Sequence, residues 1–94
     1  MQSRSVYKVP QGKLLKISLG YDNTNNVITN IQITGDFFAY PEEAIELMEI
    51  QLKNTTLESE QLQKKISSII AEYHIEFIGL TAEGLTHGIL MCRS

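Results

Sequence analysis

The spacing of the apolar residues changes near Pro41, and this change limits the folds that the chain can adopt. Before Pro41, apolar residues recur at every second position, which is the period of a strand with one solvent-exposed face. The first run lies within residues 13–21, and the side chains predicted to point inward are Leu15, Ile17, Leu19 and Tyr21. The second run alternates in the same way through Val27, Ile31 and Ile33. The polar segment 22–26 between the runs favours a turn, so the two runs predict a β-hairpin.

A third strand is predicted over Val6–Val9, upstream of the hairpin. The segment Val9-Pro10-Gln11-Gly12 connects it to the next strand, and proline at the second position with glycine at the fourth suits a type I turn. The N-terminal part of the chain is therefore predicted to be an antiparallel meander.

After Pro41 the apolar residues follow a helical period. Proline fits the first position of a helix, and Glu42 and Glu43 in the first turn would complement the positive end of the helix dipole. We therefore expect a first helix from about Pro41 to a stop near Lys53-Asn54. Its inward residues are predicted to be Ala44, Ile45, Met48 and Leu52.

Two more helices are predicted in the C-terminal part. Thr55 and Glu58 have the spacing of a capping box, which predicts a helix start there. The inward stripe of this helix is Leu62, Ile66, Ile69, Ile70 and Tyr73. A short strand over 75–78 ends at Gly79, and Thr81 can cap the last helix. That helix directs Leu85, Ile89 and Cys92 inward.

Strands first and helices later predict an α+β fold, in which helices cover one face of an antiparallel β-meander. A chain of 94 residues with 43% hydrophobic content has room for one domain, so residues 1–94 are expected to form a single domain.

Composition argues against several classes of partner. The net charge of -3 and the longest basic run, Lys64-Lys65, argue against nucleic acid. No apolar run approaches the roughly 20 residues that cross a bilayer, and the N-terminal residues lack the apolar region of a secretory signal, so we expect a cytoplasmic protein without a membrane partner. The single cysteine, Cys92, excludes an intrachain disulfide and does not by itself make a metal site.

The segment Gly35-Asp36-Phe37-Phe38 is the first candidate site. Gly35 supplies the backbone freedom that a tight turn needs, and Asp36 can accept hydrogen bonds from nearby backbone amides. In an extended connection Phe37 and Phe38 point in opposite directions, so one of them is a candidate for contact with a partner. The alternative is that both phenylalanines lie beneath the helices.

The dipeptide Gly12-Lys13 is the second candidate site, since exposed amides and an ammonium group at a turn can meet an anion. The alternative is a solvated lysine at a hairpin corner. A nucleophile with a base, a metal-ligand set and a phosphate-binding loop are all missing from the sequence, so no catalytic or metal-binding residue is predicted.

Two motifs occur together in this chain. The first is Lys8-Val9-Pro10-Gln11-Gly12-Lys13-Leu14-Leu15. The second is Ile31-Gln32-Ile33-Thr34-Gly35-Asp36-Phe37-Phe38, followed by Pro41-Glu42-Glu43. Their order and the elements around them resemble the C-terminal accessory domain of lipoate-protein ligases, whose pattern runs Lys-x-Pro-x-Gly-Lys-Leu and then Gly-Asp-Phe-Phe before Pro-Glu. The resemblance covers about residues 6–92.

The resemblance implies a fold similar to that of sulfur-transfer and iron–sulfur scaffold proteins, although the reactive or ligating cysteine of those proteins has no counterpart here. It also implies a function. In this family lipoate reacts with ATP, with magnesium as cofactor, to give lipoyl-adenylate and pyrophosphate, and the lipoyl group then passes to a lysine of an acceptor domain. The catalytic loops of the family are absent from this chain.

The chain therefore resembles the accessory subunit of a split ligase, which is not catalytic alone and binds no cofactor by itself. The implied partner is a separate catalytic large subunit in a heterodimer, with lipoyl-acceptor domains as indirect partners. The resemblance and the site residues together make Gly12, Lys13, Asp36, Phe37 and Phe38 candidates for the partner interface or for a position near the substrate. A stand-alone adaptor that binds a sulfur-transfer protein or a sulfur-containing cofactor is the alternative.

Overall fold

Three antiparallel strands in the order β1-β2-β3 form the main sheet of the computed structural model, which describes residues 1–93. The strands are β1 (Gln2–Lys8), β2 (Leu14–Asp22) and β3 (Val27–Gly35). The elements that follow are β4 (Phe38–Tyr40), α1 (Ala44–Gln51), α2 (Ser59–Glu72), β5 (Glu76–Ile78) and α3 (Ala82–Arg93). Strands β4 and β5 pair with each other as a separate antiparallel ribbon. The predicted α+β class and the antiparallel meander are confirmed.

The hairpin of β2 and β3 forms where the alternation predicted it. All four predicted inward residues of β2 are buried, and so are Ile31 and Ile33 of β3. Val27 is only half-buried, because a register shift between Gly20 and Tyr21 places Ile28 in the core instead. A shift of one residue moves side chains to the other face of a strand.

Asp22 begins the turn between β2 and β3. Its carboxylate accepts hydrogen bonds from the backbone N–H groups of Thr24 (2.8 Å) and Asn25 (3.3 Å). These bonds favour the ionised form and lower the pKa of Asp22 below its ordinary value. The turn chemistry expected for the polar segment 22–26 is thus present.

The β1–β2 turn differs in type from the prediction. The N–H of Gly12 donates to the carbonyl of Val9 at 2.8 Å, which confirms a turn over residues 9–12. Gln11, however, has a φ of 58°, and a positive φ at the third residue belongs to a type II turn rather than a type I turn.

Helix α1 begins later than predicted. Residues 38–40 pair with β5, so the chain turns through Pro41 before the helix starts at Ala44. The N–H of Ala44 donates to the carbonyl of Pro41 at 2.9 Å, and Glu43 is the residue before the helix. The prediction that Pro41 is the first helical residue and that Glu42 and Glu43 lie in the first turn is therefore wrong. Of the four predicted inward residues, Ile45 is partly buried against the core. The other three are buried: Ala44, Met48 and Leu52.

Helix α2 begins at Ser59, and the predicted capping box is absent. The backbone of Thr55 accepts a hydrogen bond from Ile28 N–H (3.0 Å), and Thr56 forms a bridge with Val27. The residues predicted to start the helix are thus held in extended pairing with the start of β3. The predicted inward stripe is confirmed, with Leu62, Ile66 and Ile69 buried and Ile70 and Tyr73 partly buried against the core.

Helix α3 packs on the inner face of β1 and β2, and its predicted cap and inward residues are confirmed. The hydroxyl of Thr81 accepts a hydrogen bond from the N–H of Gly84 at 2.9 Å. Gly88 allows a close approach to the sheet, because a Cβ there would lie 2.8 Å from Leu15 Cδ2 and 3.1 Å from Ile17 Cδ1. Glycine weakens an isolated helix, but here it permits the helix to contact the strands directly.

Cys92 lies on the buried face of α3. Its thiol donates to the hydroxyl of Ser5 at 3.3 Å, and that hydroxyl donates to the carbonyl of Gly88 at 2.7 Å. Burial raises the pKa of the Cys92 thiol, and the hydrogen bond to Ser5 acts in the opposite direction. The thiol is part of the core, as expected for a cysteine on the apolar side of a helix.

Within residues 1–93, no helix combines the length and the apolar character needed to cross a bilayer. The same residues contain no cluster of three or more histidine, cysteine, aspartate or glutamate side chains that could hold a metal ion.

We expect Gly88→Ala to destabilise the chain, although alanine favours the helix by about 1 kcal/mol. Overpacking against Leu15 and Ile17 costs about 1–3 kcal/mol, so a net loss of about 1 kcal/mol in the free energy of unfolding is expected in urea titrations. Adding Leu15→Val, which shortens the contacted side chain, should make the double variant lose less than the sum of the two single losses. Stabilisation by Gly88→Ala, or strict additivity, would contradict the close contact.

We expect the Cys92 thiol to react slowly with a soluble disulfide reagent in the native chain, because the side chain is buried and its pKa is raised. Reaction should be rapid in denaturant, where the thiol is no longer buried. Absorbance measurements of the released thiolate report both rates. A native rate equal to that of the unfolded chain would show that α3 does not protect the thiol.

Candidate partner-binding surface

The β4–β5 ribbon separates its side chains into an outer and an inner face. Phe38 lies opposite Ile78 and Tyr40 opposite Glu76, while Ala39 lies opposite Phe77 between these pairs. Side chains alternate between the two faces of an antiparallel pair. Three large side chains point outward and are strongly exposed: Phe38 (66%), Tyr40 (61%) and Ile78 (50%). We call these three residues the outer ribbon face.

Gly35 determines how the chain enters the ribbon. Its φ of 154° lies in a region that side chains rarely adopt, and a Cβ there would lie only 2.2 Å from the carbonyl oxygen of Leu14. The next residue, Asp36, donates its backbone N–H to that carbonyl at 3.0 Å. The predicted need for glycine in this turn is confirmed.

The two consecutive phenylalanines point in opposite directions, as the sequence predicted. Phe37 is partly buried against the core and meets Phe77 edge to face, with ring centroids 6.4 Å apart and an interplanar angle of 89°. Phe38 is exposed on the outer ribbon face. The alternative in which both rings lie beneath the helices is therefore wrong for Phe38, whereas Phe37 is partly buried against the core.

Asp36 has a smaller part in the turn than predicted. Its side chain is exposed, and no carboxylate hydrogen bond of Asp36 occurs among residues 1–93. The backbone N–H makes the contact with Leu14 instead. The prediction that the Asp36 carboxylate accepts backbone hydrogen bonds is wrong, because Gly35 and the strand ladder already set the turn.

The amides of Gly12 and Lys13 are occupied and do not form an anion site. Gly12 N–H donates to Val9, and Lys13 N–H donates to the carbonyl of Gly79 at 2.8 Å. The ammonium of Lys8 donates to the Gly12 carbonyl at 2.7 Å, and the Lys13 side chain is exposed. This arrangement agrees with the alternative of a solvated lysine at a hairpin corner.

The Gly12-Lys13 turn nevertheless lies beside the ribbon. Gly79, which accepts the Lys13 hydrogen bond, directly follows Ile78 of the outer ribbon face. A Cβ at Gly12 would lie 2.6 Å from the Gly79 carbonyl oxygen, so glycine is required for the contact. The fold thus brings both sequence-predicted segments next to each other.

Sequence reasoning missed Tyr40 and Ile78. The large-small-large pattern of Phe38-Ala39-Tyr40 is typical of a strand, but the sequence predicts only a short connection there. Ile78 lies in the predicted strand 75–78, but its pairing with Phe38 joins positions that are far apart in the chain. Only the pairing shows that the exposed side chains form one surface.

The outer ribbon face is suited to binding rather than to catalysis. Single exposed apolar residues are normal, but an aromatic and an aliphatic side chain directly opposite each other, with a second aromatic beside them, form a contiguous patch. Such residues are frequent anchors in protein interfaces.

Comparisons with known proteins agree in sequence and in fold. The family model described as the bacterial lipoate protein ligase C-terminus matches residues 12–88. The curated Lipoate-protein ligase A subunit 2 of Thermoplasma acidophilum is 34% identical over 68 residues, which are 72% of this chain and 63% of that protein. The matched segment thus spans less than two thirds of that relative's length.

A solved structure of an archaeal lipoylation system from Thermoplasma acidophilum, a bipartite lipoate protein ligase with its E2 lipoyl domain, contains a similar chain. The TM-score is 0.80 at 25% identity, and the match covers 95% of this chain and 94% of that one. Because the family model matches most of the sequence and the solved structure has the same fold, this chain belongs to the family of the bacterial lipoate protein ligase C-terminus.

Proposed function

We propose that this chain is the non-catalytic subunit of a bipartite lipoate-protein ligase and binds a separate catalytic subunit in a heterodimer. The observation that carries the proposal is the outer ribbon face, an exposed apolar patch on a chain that resembles subunit 2 of a two-part ligase. Burial of Phe38, Tyr40 and Ile78 against a partner would remove apolar surface from water and favour association.

The ribbon is held in a way that suits a binding surface. Phe37 and Phe77 anchor its inner face to the core, and the Lys13–Gly79 hydrogen bond fastens one end to the β1–β2 turn. A surface that is ordered before binding loses less conformational entropy when the complex forms. Phe38 and Ile78 are thus presented by a supported ribbon rather than by a free loop.

The proposed role is to favour one conformation of the catalytic subunit, namely the one in which the loop over the adenylate is ordered. A partner shifts such an equilibrium only when it binds one conformation more tightly than the other. ATP, magnesium and lipoate would be held by the catalytic subunit, and a lipoyl-acceptor domain would receive the lipoyl group from that subunit. Among Gly12, Lys13, Asp36, Phe37 and Phe38, the proposal assigns the main partner contact to Phe38.

The alternative of a stand-alone adaptor for sulfur-transfer proteins has less support. The thiol of the single cysteine, Cys92, is buried on the inner face of α3, and no candidate metal cluster occurs in the part of the chain that the structure describes. The similarity of the fold to sulfur-transfer and iron–sulfur scaffold proteins stays a prediction. The cytoplasmic location and the exclusion of nucleic-acid and membrane partners also stay predictions from the sequence.

We expect this chain to stimulate lipoate activation by the catalytic subunit encoded in the same genome. Pyrophosphate release with lipoate, ATP and magnesium should rise by about tenfold or more when the two chains are mixed. This rise is expected because binding would shift the catalytic subunit toward an active state that is sparsely populated in its absence. This chain alone should release none, and heat-denatured chain should give no stimulation. Absence of both stimulation and a complex in size-exclusion chromatography would contradict the proposed function.

We expect Phe38→Ala to weaken the complex by about 30-fold, the loss typical of an interface hot spot, with little change in melting temperature. Phe38 is exposed in the isolated chain, and its cross-strand pair with Ile78 contributes only about 0.2–1 kcal/mol. Phe37→Ala should instead lower the melting temperature, because that ring packs on Phe77.

The matched control is Ile50→Ala, since Ile50 is a comparably exposed apolar residue (60%) on α1 outside the ribbon. It should bind like the unchanged chain in calorimetric titrations. Equal losses of affinity for Phe38→Ala and Ile50→Ala, or none for either, would argue that the outer ribbon face is not the contact.

A further inference from the structure

The two edges of the main sheet differ, and β1 is the open one. In an antiparallel pair, residues that exchange both backbone hydrogen bonds alternate with residues whose N–H and C=O point away from the partner strand. Met1 and Tyr21 exchange both bonds (2.8 and 2.9 Å), and the register continues without a shift to Val9, whose N–H donates to Lys13. Residues 1, 3, 5, 7 and 9 therefore bond to β2.

The intervening residues of β1 direct their backbone groups outward from the sheet. These residues are Gln2, Arg4, Val6 and Lys8. No other backbone or side-chain group in residues 1–93 bonds to these outward N–H and C=O groups. All four residues are exposed, so they present the hydrogen-bonding pattern that an added strand would use.

The edge at β3 is covered instead. The Glu49 carboxylate of α1 accepts a hydrogen bond from Ile33 N–H at 2.7 Å. Near the start of β3, Ile28 exchanges backbone bonds with Thr55 and Asn54. The chain thus pairs part of the β3 edge with its own helix and loop, whereas the outward groups of β1 have no partner among residues 1–93.

The side chains beside the open edge are cationic. Arg4 and Lys8 project from β1 on the solvent face of the sheet, and Lys16 lies on the same face opposite Val6. The one ion pair found in the described part of the chain joins Lys64 to Glu60, so these three cations have no carboxylate partner. Three unpaired cations on one face of a chain of net charge -3 form a local positive surface.

We propose that the open edge of β1 binds an extended, acidic segment of the catalytic subunit as an additional strand. This inference rests on the proposed function and names a second contact for the same partner. A carboxylate opposite Arg4 and another opposite Lys8 would face the cations, since directly opposite residues share a sheet face. The residue between them would lie opposite the exposed Val6, so the expected pattern in the segment is acidic, any, apolar, any, acidic.

The position of the edge and its charge favour this occupant over a second copy of the chain. The edge ends at Lys8, which bonds to Gly12, and the adjoining Lys13 bonds to Gly79 beside the outer ribbon face. Both surfaces therefore adjoin the β1–β2 turn. Pairing of β1 with β1 of a second copy would instead place Arg4, Lys8 and Lys16 of both copies on one sheet face, where like charges repel.

Amide exchange read by NMR tests the added strand directly in the complex of unchanged chains. In the free chain the N–H groups of Arg4, Val6 and Lys8 should exchange rapidly, while those of Ser3, Ser5 and Tyr7 are protected by β2. Bound to the catalytic subunit, the first three should become protected. If the complex forms and these three amides still exchange as in the free chain, the added strand is wrong and the proposed function stands. If no complex forms, both are wrong.

Substitutions test the chemistry of the occupant. Val6→Pro removes an outward N–H that no group of the described chain uses but that the added strand would accept. The substitution should therefore weaken the complex by about tenfold or more. Val6→Thr keeps the N–H and the branched shape and should lose much less. The double variant Arg4→Glu, Lys8→Glu should weaken the complex and reverse its salt dependence. Circular dichroism checks that each variant is folded. If the outward amides are protected in the complex but the charge-reversed variant binds with unchanged affinity, the acidic character of the bound segment is wrong.

Discussion

The contact between α3 and the inner face of the sheet supports most of the other features of this chain. Gly88 brings the helix against Leu15 and Ile17, and the Ser5 hydroxyl joins β1 to the helix through Gly88 and Cys92. These contacts link the first strand to the last helix, and the helix in turn fixes the position of the segment before it. Close packing of this kind leaves little room for adjustment, since interiors are packed at the density of organic crystals.

The segment before α3 connects the packing of this helix to the position of the ribbon. Thr81 caps the helix, and Gly79, two residues earlier, accepts a hydrogen bond from Lys13 of the β1–β2 turn. Strand β5 is thereby held beside the sheet and provides the pairing surface for β4. The ribbon exposes an aromatic and aliphatic face because Phe77 and Ala39 occupy its inner side, which leaves Phe38 and Ile78 on the outer side.

Two surfaces of different chemistry meet near the β1–β2 turn. One is the apolar outer ribbon face, where burial of aromatic area would provide binding energy. The other is the open edge of β1 with its cations, where backbone hydrogen bonds and charge would set register and orientation. A partner that covers this turn would contact both surfaces, and the Gly12-Lys13 segment connects them.

Local patterns in the sequence predicted much of the fold. The alternation in β2, the stripe on α2 and the Thr81 cap each depend on residues close in the chain, and each was found where it was predicted. Errors arose where a distant segment competes for the same backbone. Thr55 and Thr56 pair with the start of β3 rather than begin a helix, and residues 38–40 pair with β5 rather than lead directly into α1.

The candidate site shows the same division. The sequence by itself determined the family motifs, the need for glycine at position 35 and the opposite directions of Phe37 and Phe38, because these depend on backbone sterics and on strand geometry. Tertiary structure decided that Phe38 is the exposed ring, that Tyr40 and Ile78 join it, and that β1 is the open edge. These outcomes depend on which strands pair and on which edge a helix covers, and such long-range contacts have no local signature in the chain.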